Sequence, residues 1–423
     1  MKKFIFILLA FFNTAAIKAD VITTTIGDFE YQLDTQGVVA SVVKYMGEES
    51  NVQIPEKISY DGKDYSVINL MSESFLGSTS VVSVDIPNSV SEIGRQVFKG
   101  CTNLETVTMS ESVKTIPYEA FGQCSKLTTV NFPENSVILI GTEAFSRCVS
   151  LKEMRIPESV ERIGDYAFHG CSSLATVNIP NKVSQINEWA FYGCAFASIE
   201  IPNSVTSIGS WAFAACKNLE SITIPNSVQS IGKWCFDYDI SLKSVVLPDT
   251  ITKIPNGTFS RCFKLASIDI PSSVTTLGVQ SFNMCTSLTV IDIPNTIMEI
   301  EEEAFLNCTM ATTVNIAPSV RSIGKNAFSG CNSITDINFL TTKPFSIADN
   351  VFSCQDKATL HVLPDYVPIF NSLDGWRDFA NIVPKRDDTA IPDYVDVNGD
   401  GKVNTADVVG IYKYIIDGTD PRK

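Results

Sequence analysis

One stretch near the C-terminus concentrates oxygen-bearing side chains at regular intervals: DVNGDGKVNTAD, residues 396–407. Gly401 stands at the sixth place of this stretch, where a sharp bend of the backbone is needed. A hard cation that takes about six to eight oxygen ligands fits this density of carboxylates and carbonyls, so the stretch predicts a Ca²⁺ site. The predicted ligands are Asp396, Asn398, Asp400, Lys402 through its carbonyl, Asn404 and Asp407.

A second group of residues with binding chemistry recurs at a fixed interval in the middle of the chain. Its members each precede an Ala-Phe or Cys-Phe pair; they are Tyr166, Trp189, Trp211 and Trp234. At the spacing of adjacent strands, their rings would form a ladder about 15 Å long. Two interpretations stay open at this point. The ladder could bind a sugar chain or a partner protein, because Trp and Tyr dominate binding hot spots, or it could shield an apolar core.

Residues suited to catalysis are scarce. The chain has two histidines, His169 and His361, and it contains no phosphate-cradling Gly loop and no H-E-x-x-H segment. The carboxylates of Glu301–Glu303 fall between M-E-I and A-F, where a solvated turn is expected rather than an acid–base pair. The net charge of −15 disfavours a polyanionic partner. The sequence therefore predicts a protein that is not an enzyme and does not bind nucleic acid.

These residues must be positioned by an internal repeat of about 23 residues with the pattern L-x-x-V-x-I-P-x-S-V-x-x-I-G-x-x-A-F-x-x-C. Its sixth position recurs at Ile86, Met109, Phe132, Ile156, Ile179, Ile201, Ile224, Leu247, Ile270, Ile293, Ile316 and Phe339. A period of this length indicates stacked coils that bury an apolar face only against their neighbours. We predict about 12 such coils over residues 71–357, each with a short parallel strand on L-x-x-V-x-I. Glycines such as Gly232 mark a turn that demands a left-handed or tightly packed backbone, and phenylalanines such as Phe213 stack into a spine.

The cysteines follow the same repeat. All but one of the twelve occupy the last position of the pattern, and Cys235 instead replaces the Ala of an Ala-Phe pair. Asp239 takes the cysteine position in the coil between Cys216 and Cys262. Stacked coils would place neighbouring thiols about 4.8 Å apart, with their side chains pointing the same way. We therefore predict a buried ladder of unbridged thiols, since free Cys packs as a small apolar residue.

The segment IPNSVTSIGSWAFAACKNLESITIP, residues 201–225, resembles the leucine-rich repeat of BspA-like bacterial surface proteins. Residues 358–384 resemble the closing segment of that family, with a short helix near residues 366–371 and a Trp that seals the last coil. The resemblance implies surface adhesion or protein binding, sometimes to host matrix proteins. The expected fold class is a β-rich leucine-rich-repeat solenoid with an N-terminal β cap and a small EF-hand-like helical tail.

The calcium loop resembles the loop of a dockerin repeat, because Asp rather than Glu stands at its twelfth position. In that family, residues that match Thr405, Ala406, Tyr412 and Lys413 help to choose the cohesin partner. A dockerin has two such loops, whereas this sequence shows one within residues 394–423, after a linker at 385–393. The resemblance thus implies a single dockerin-like repeat whose docking to a cohesin is left open.

The N-terminal residues predict export. Residues 1–19 begin with Lys2 and Lys3 after Met1, followed by a short apolar run and then small residues, which is typical of a signal peptide cleaved near Ala19. Residues 20–70 alternate apolar and polar residues, as expected of a β cap. No other stretch predicts a membrane span, so a secreted or cell-surface location follows.

Three functions remain open: an adhesin that binds a host or bacterial surface protein or a glycan, a non-catalytic component docked through a cohesin in an extracellular polysaccharide-degrading complex, and a glycan-active enzyme, which the sequence barely supports.

Overall fold

The computed structural model describes residues 21–385, which fall into two compact units divided after Leu174. The predicted signal peptide, the calcium loop with its dockerin-like tail and all but the first residue of the linker lie outside the described residues. Among the described residues there is no helix with the length and apolar character that a bilayer crossing requires.

The first unit begins with a mixed sheet, which has both antiparallel and parallel strand pairs, in the order β1-β2-β3-β6-β5. Its strands and the nearby β4 are β1 (Val21–Ile26), β2 (Phe29–Asp34), β3 (Val39–Tyr45), β4 (Asn51–Gln53), β5 (Lys57–Tyr60) and β6 (Lys63–Leu70). Alternate side chains of β2 are buried, as the period of two predicts, and Asp61 and Gly62 form the hairpin turn with positive φ of 49° and 70°. Val38 lies in the turn before β3 with a φ of 54° and is exposed.

The remainder of the first unit consists of repeating coils. Its strands are β7 (Ser83–Asp85), β8 (Glu92–Ile93), β9 (Thr106–Thr108), β10 (Thr115–Ile116), β11 (Thr129–Asn131), β12 (Leu139–Ile140), β13 (Glu153–Met154) and β14 (Arg162–Ile163). The L-x-x-V-x-I strands pair in parallel and in register, so that Val107 lies between Val84 and Val130. Each coil has a second, two-residue strand just before the glycine position, as in the sheet β10-β12-β14, which the sequence pattern did not reveal.

The second unit continues the same architecture within itself. Its strands are β15 (Thr176–Val177), β16 (Gln185–Ile186), β17 (Ser207–Ile208), β18 (Ser221–Thr223), β19 (Ser230–Ile231), β20 (Ser244–Val246), β21 (Lys253–Ile254), β22 (Thr276–Leu277), β23 (Val290–Asp292), β24 (Glu299–Ile300), β25 (Thr313–Asn315), β26 (Ser322–Ile323), β27 (Asp336–Asn338), β28 (Thr359–Val362) and β29 (Asn381–Pro384). Parallel sheets form in the orders β16-β17-β19, β18-β20, β21-β22-β24-β26 and β23-β25-β27-β28-β29. The fold class is a β-rich leucine-rich-repeat solenoid.

A stack of phenylalanine rings runs through the core of each unit, as predicted. The buried spine of the second unit is formed by Phe191, Phe213, Phe236, Phe259, Phe282, Phe305, Phe328 and Phe352. The ring centroids of Phe213 and Phe236 are 5.8 Å apart with nearly parallel planes. In the first unit, Phe121 and Phe145 stack at 5.2 Å. Stacking at the coil spacing lets each ring bury both faces against its neighbours.

The repeated glycines serve close approach rather than a left-handed backbone. A Cβ on Gly232 would lie 2.2 Å from the backbone nitrogen of Ser210, and one on Gly94 would lie 2.2 Å from that of Ser72. Neither glycine has a positive φ. The left-handed positions lie elsewhere in the coil, directly before the Ala-Phe pair and directly before the cysteine, and non-glycine residues occupy most of them. Of the two demands predicted for this glycine, only the tight packing is present.

The end of the second unit is closed by aromatic side chains. A 3₁₀ helix (Pro364–Tyr366) leads into the short helix α1 (Val367–Phe370), close to where the sequence predicts a helix. Trp376 is fully buried, lies 5.7 Å from Phe352 at the end of the spine, and donates its indole N–H to the carbonyl of Phe345 at 2.8 Å. The predicted tryptophan seal is present.

Candidate functional site

The three tryptophans of the predicted ladder lie on one kind of turn in the second unit. Trp189, Trp211 and Trp234 have left-handed backbones with φ of 58°, 61° and 60°. Each backbone N–H donates to a carbonyl of the next coil; for Trp211 that acceptor is Lys233, at 3.0 Å. Gln280 takes the same conformation at the same position. The turn is therefore a property of the repeat, and the side chain at this position is free to vary.

The tryptophan side chains stack on one another at the surface. The centroids of Trp189 and Trp211 are 4.8 Å apart, those of Trp211 and Trp234 are 5.3 Å apart, and both pairs are within 11° of parallel. All three side chains are half-buried. Tyr166, the fourth member of the predicted set, lies in the first unit, where its ring meets that of His169 edge-on at 5.7 Å. Ligand binding by these four residues stays a prediction.

Most of the indole faces are covered by neighbouring groups. Trp211 is stacked on both sides, and Tyr192 approaches Trp189 at 4.8 Å. Trp234 lies over Gly257, because a Cβ there would come 2.1 Å from the indole Cε3. Gly257 stands at the same repeat position with a φ of 65°, and its missing side chain makes room for the ring. The tryptophans therefore offer ring edges, rather than open faces, to a ligand.

A cluster of charged and aromatic side chains that the sequence analysis missed lies in the same unit. The Lys217 Nζ and the Arg261 Cζ lie 5.4 and 5.1 Å from the centre of the Tyr238 ring, which is 36% exposed. Arg261 also donates from Nε to Oδ1 of the buried Asp237 at 3.0 Å and from Nη2 to its other oxygen. The hydrogen bond to Asp237 raises the pKa of Arg261, and Tyr238 and Tyr192 add to this shift. Cys235 and Asp239 both depart from the repeat within this short segment, and that departure was the available signal.

Beneath this cluster, a carboxyl group replaces a thiol. Asp239 is fully buried; its Oδ1 accepts the backbone N–H of Cys216 at 2.7 Å, and its Oδ2 has no hydrogen-bond partner among the described residues. In the equivalent place of a later coil, the N–H of Cys262 donates to the carbonyl of Phe259 instead. Burial raises the pKa of Asp239 well above that of an ordinary carboxyl, so its neutral form is favoured.

The cysteine positions confirm the predicted unbridged ladder. All twelve cysteines are buried and free of disulfides. Each of several thiols donates to a phenylalanine carbonyl of the preceding coil, as Cys124 does to Phe98 at 3.1 Å and Cys262 does to Phe236 at 3.2 Å. Burial raises the pKa of Cys171 to about 12, which keeps the thiol protonated. In the described part of the chain, no group of three or more His, Cys, Asp or Glu side chains is arranged to hold a metal ion.

The first unit contains a polar depression on its turn side. Its lining includes Glu119, Glu143, Arg147, Tyr166 and His169. Burial, with the nearby Arg147 charge, lowers the pKa of His169. His169 is half-buried against Tyr166 rather than exposed as a variable repeat position would be.

The predicted calcium ligands and cohesin-contacting residues all lie outside the described residues. These are Asp396, Asn398, Asp400, Lys402, Asn404 and Asp407 for the cation, with Thr405, Ala406, Tyr412 and Lys413 for the partner. The chemistry assigned to them therefore remains a prediction from the sequence.

Comparisons with known proteins agree with the repeat. A profile of the BspA type leucine rich repeat region matches residues 51–172, 138–265 and 252–372. A leucine-rich repeat protein from Bacteroides ovatus is 27% identical, with 80% of this chain and 99% of that chain covered and a TM-score of 0.54. A leucine rich cell surface protein from Faecalibacterium prausnitzii is 29% identical over 75% of this chain and 94% of its own, with a TM-score of 0.48.

A more distant structure shares the fold alone. The pneumococcal vaccine antigen PcpA is 17% identical, with 87% of this chain and 99% of that chain covered and a TM-score of 0.52. No curated protein matches the chain.

Proposed function

The chain belongs to the BspA-type leucine-rich repeat family, and we propose that it is an exported, non-enzymatic recognition protein that binds a partner protein through the tryptophan-bearing turns of its second unit. The observation that carries this proposal is the ladder of half-buried Trp189, Trp211 and Trp234. A repeat fold of this kind presents a rigid surface, and the leucine-rich repeat protein from Bacteroides ovatus shares its architecture. Adhesion to a host or bacterial surface protein is the expected biological role.

Geometry favours a protein over a glycan as the ligand. A sugar ring stacks on an open aromatic face, whereas the faces of Trp211 are occupied by its two neighbours and one face of Trp234 lies over Gly257. The three rings are half-buried, and aromatic edges at a surface suit the mixed apolar and polar contacts of a protein interface. Burial of aromatic edges by a partner would make these residues hot spots.

The double variant Trp189→Gln/Trp211→Gln tests this proposal. Glutamine already occupies the same left-handed position at Gln280, so the backbone should persist. We expect binding to a panel of extracellular-matrix and bacterial surface proteins to weaken at least about 30-fold, because hot-spot residues contribute about 2 kcal/mol or more. Loss of the stacked pairs should lower the free energy of unfolding by about 1–3 kcal/mol. Biolayer interferometry and chemical denaturation would measure the two effects.

Gln280→Ala provides the matched control, since it changes the same turn position within the same unit. It should leave binding intact. Unchanged binding by the tryptophan variant, with stability lost, would assign the ladder to core packing alone. Binding of glycans by the unaltered protein, lost in the tryptophan variant, would favour the sugar-binding alternative.

For the C-terminal segment we propose calcium-dependent tethering. The alternation of oxygen ligands in DVNGDGKVNTAD supports a Ca²⁺ site, and the resemblance to a dockerin repeat supports docking to a cohesin as the second candidate function. In that case the chain would be a non-catalytic component of an extracellular polysaccharide-degrading complex. Both proposals require export, which the signal peptide predicted at residues 1–19 would direct.

Asp396→Ala/Asp400→Ala in the full chain tests the tail. Removing two carboxylate ligands should weaken Ca²⁺ binding at least about 100-fold, because charge count sets the affinity of such loops. Isothermal titration with Ca²⁺ measures this effect, and immobilised cohesins with and without a chelator test the docking. Asp387→Ala/Asp388→Ala, outside the loop, should bind Ca²⁺ normally. If the protein binds Ca²⁺ but no cohesin captures it, the cohesin proposal would fail and tethering to another partner would remain.

A further inference from the structure

The turns that carry the tryptophan ladder also carry a local excess of positive charge. Residues 187–192, 209–217, 232–239 and 256–264 contain the cationic side chains Lys217, Lys233, Arg261 and Lys264. The acidic side chains in the same four ranges are Glu188, Asp237 and the buried Asp239. Asp237 is already engaged by Arg261. The whole chain has a net charge of −15, so the charge of these turns is opposite in sign to that of the protein as a whole.

Two of these cations retain binding capacity. Lys217 is exposed, and among the described residues it forms no ion pair; its ammonium group lies instead beside the Tyr238 ring. Arg261 directs its Nε and Nη2 to Asp237, while its side chain stays 40% exposed. A guanidinium group has five N–H donors, so donors remain for a further acceptor. Both cations therefore flank an exposed aromatic ring without being neutralised by it.

Asp239 ties together the two chain segments that carry this cluster. It directly follows Tyr238, and its carboxyl accepts the backbone N–H of Cys216, the residue before Lys217. Its second oxygen is buried without a partner among the described residues. A buried carboxyl in place of a thiol is unfavourable for packing, and departures of this kind concentrate at functional positions. This hydrogen bond links the backbone next to Lys217 to the residue that follows Tyr238.

From this placement, and resting on the function proposed above, we infer that the partner protein presents an acidic segment to the surface formed by Lys217, Tyr238 and Arg261. Carboxylates of that segment would pair with Lys217 and with the remaining guanidinium donors. An adjacent apolar side chain would pack on Tyr238 and on the edges of the tryptophans. Aromatic and arginine side chains that lie together are the usual composition of interface hot spots. The opposite charges would steer the encounter as well as hold the complex.

Binding of short peptides to the full-length protein tests the inference. The probes are fluorescein-labelled (Glu-Phe)₄, (Gln-Phe)₄ and (Lys-Phe)₄, followed by fluorescence anisotropy at about 50 and 300 mM salt. We expect (Glu-Phe)₄ to bind at least about tenfold more tightly than (Gln-Phe)₄ at low salt, and (Lys-Phe)₄ to bind most weakly. The advantage of the acidic peptide should shrink at high salt.

Variants separate this surface from general charge effects. Lys217→Glu and Tyr238→Ala should each weaken (Glu-Phe)₄ binding at least about tenfold, whereas Lys325→Glu should not. Lys325 is an exposed lysine of the same unit that carries the same charge change, far along the sequence from the cluster. Equal losses in Lys217→Glu and Lys325→Glu, or no preference for the acidic peptide, would overturn the inference.

The remaining outcomes distinguish this inference from the proposed function. Equal binding of (Glu-Phe)₄ and (Gln-Phe)₄ that is lost in Trp189→Gln/Trp211→Gln would leave the tryptophan surface standing and remove the acidic specificity. Absence of binding by every peptide would overturn the inference, while the panel of whole proteins still decides the proposed function. Peptide binding that appears only in the Asp387→Asn/Asp388→Asn variant would mean that the chain's own acidic segment occupies the surface in the unaltered protein. That result would overturn the inference of an acidic partner.

Discussion

Phe213→Ala is expected to lower the free energy of unfolding of the second unit by about 3–5 kcal/mol. The Phe213 ring is fully buried and stacks between Phe191 at 5.7 Å and Phe236 at 5.8 Å. Its removal takes away the transfer free energy of a large apolar side chain. It also leaves a cavity that the rigid coils on either side cannot close. Urea denaturation followed by circular dichroism measures the change.

The damage should be local as well as large. Because stacked coils contact mainly their neighbours, amide hydrogen exchange should accelerate in the coils of Phe191 and Phe236 more than in that of Phe328. Phe263→Ala is the matched control, since Phe263 lies outside the spine and is half-buried. We expect it to reduce stability by about 1 kcal/mol. Equal effects of the two substitutions, or uniform acceleration of exchange throughout the unit, would contradict the role assigned to the spine.

Asp239→Cys is expected to stabilise the protein by about 1–3 kcal/mol at neutral pH, because it removes a buried oxygen that lacks a hydrogen-bond partner among the described residues. It also restores the thiol that the repeat places there, next to Cys216 and Cys262. In several other coils that thiol donates to a phenylalanine carbonyl, as Cys262 does at 3.2 Å. Thermal and chemical denaturation of the two proteins measure the difference.

The benefit should depend on pH in a defined direction. Burial raises the pKa of Asp239 in the folded protein, whereas in the unfolded chain the pKa of this carboxyl is about 3.9. Between these two values the folded protein keeps a proton that the unfolded chain has released. Stability associated with Asp239 is therefore fully present below the unfolded pKa and is lost as the pH rises towards the folded value. The advantage of Asp239→Cys should be smallest near pH 3 and should grow towards neutrality.

Two further variants test whether the pH dependence of stability comes from the Asp239 carboxyl. Asp239→Asn cannot titrate, so it should remove the same pH dependence even if the amide packs less well than a thiol. Asp249→Asn changes an exposed aspartate of the same unit and should leave the pH profile of stability nearly unchanged. A stability difference between wild type and Asp239→Cys that is constant across pH would contradict a buried, protonated carboxyl.

The candidate site shows where the sequence was informative and where it was not. The alignment of Trp189, Trp211 and Trp234 at one repeat position predicted that their rings would stack, and they do. The same alignment left open whether the ring faces or edges meet a ligand. That depends on Tyr192, which stands at another repeat position, and on whether Trp234 lies over Gly257, which only the three-dimensional structure shows. The Tyr238 cluster was missed for a related reason, because Lys217 and Arg261 come from the coils on either side.

The sequence by itself determined the coil length, the parallel in-register strands, the phenylalanine spine and the buried free thiols. A period of about 23 residues brings equivalent side chains together whatever the finer geometry is, so residue type at a repeated position sets what is buried. Only the tertiary structure decided that Gly232 serves close packing rather than a left-handed turn, and that Trp234 covers Gly257. Those outcomes depend on the distance and rotation between one coil and the next. Neighbouring backbones set both quantities jointly, and no single repeat encodes them.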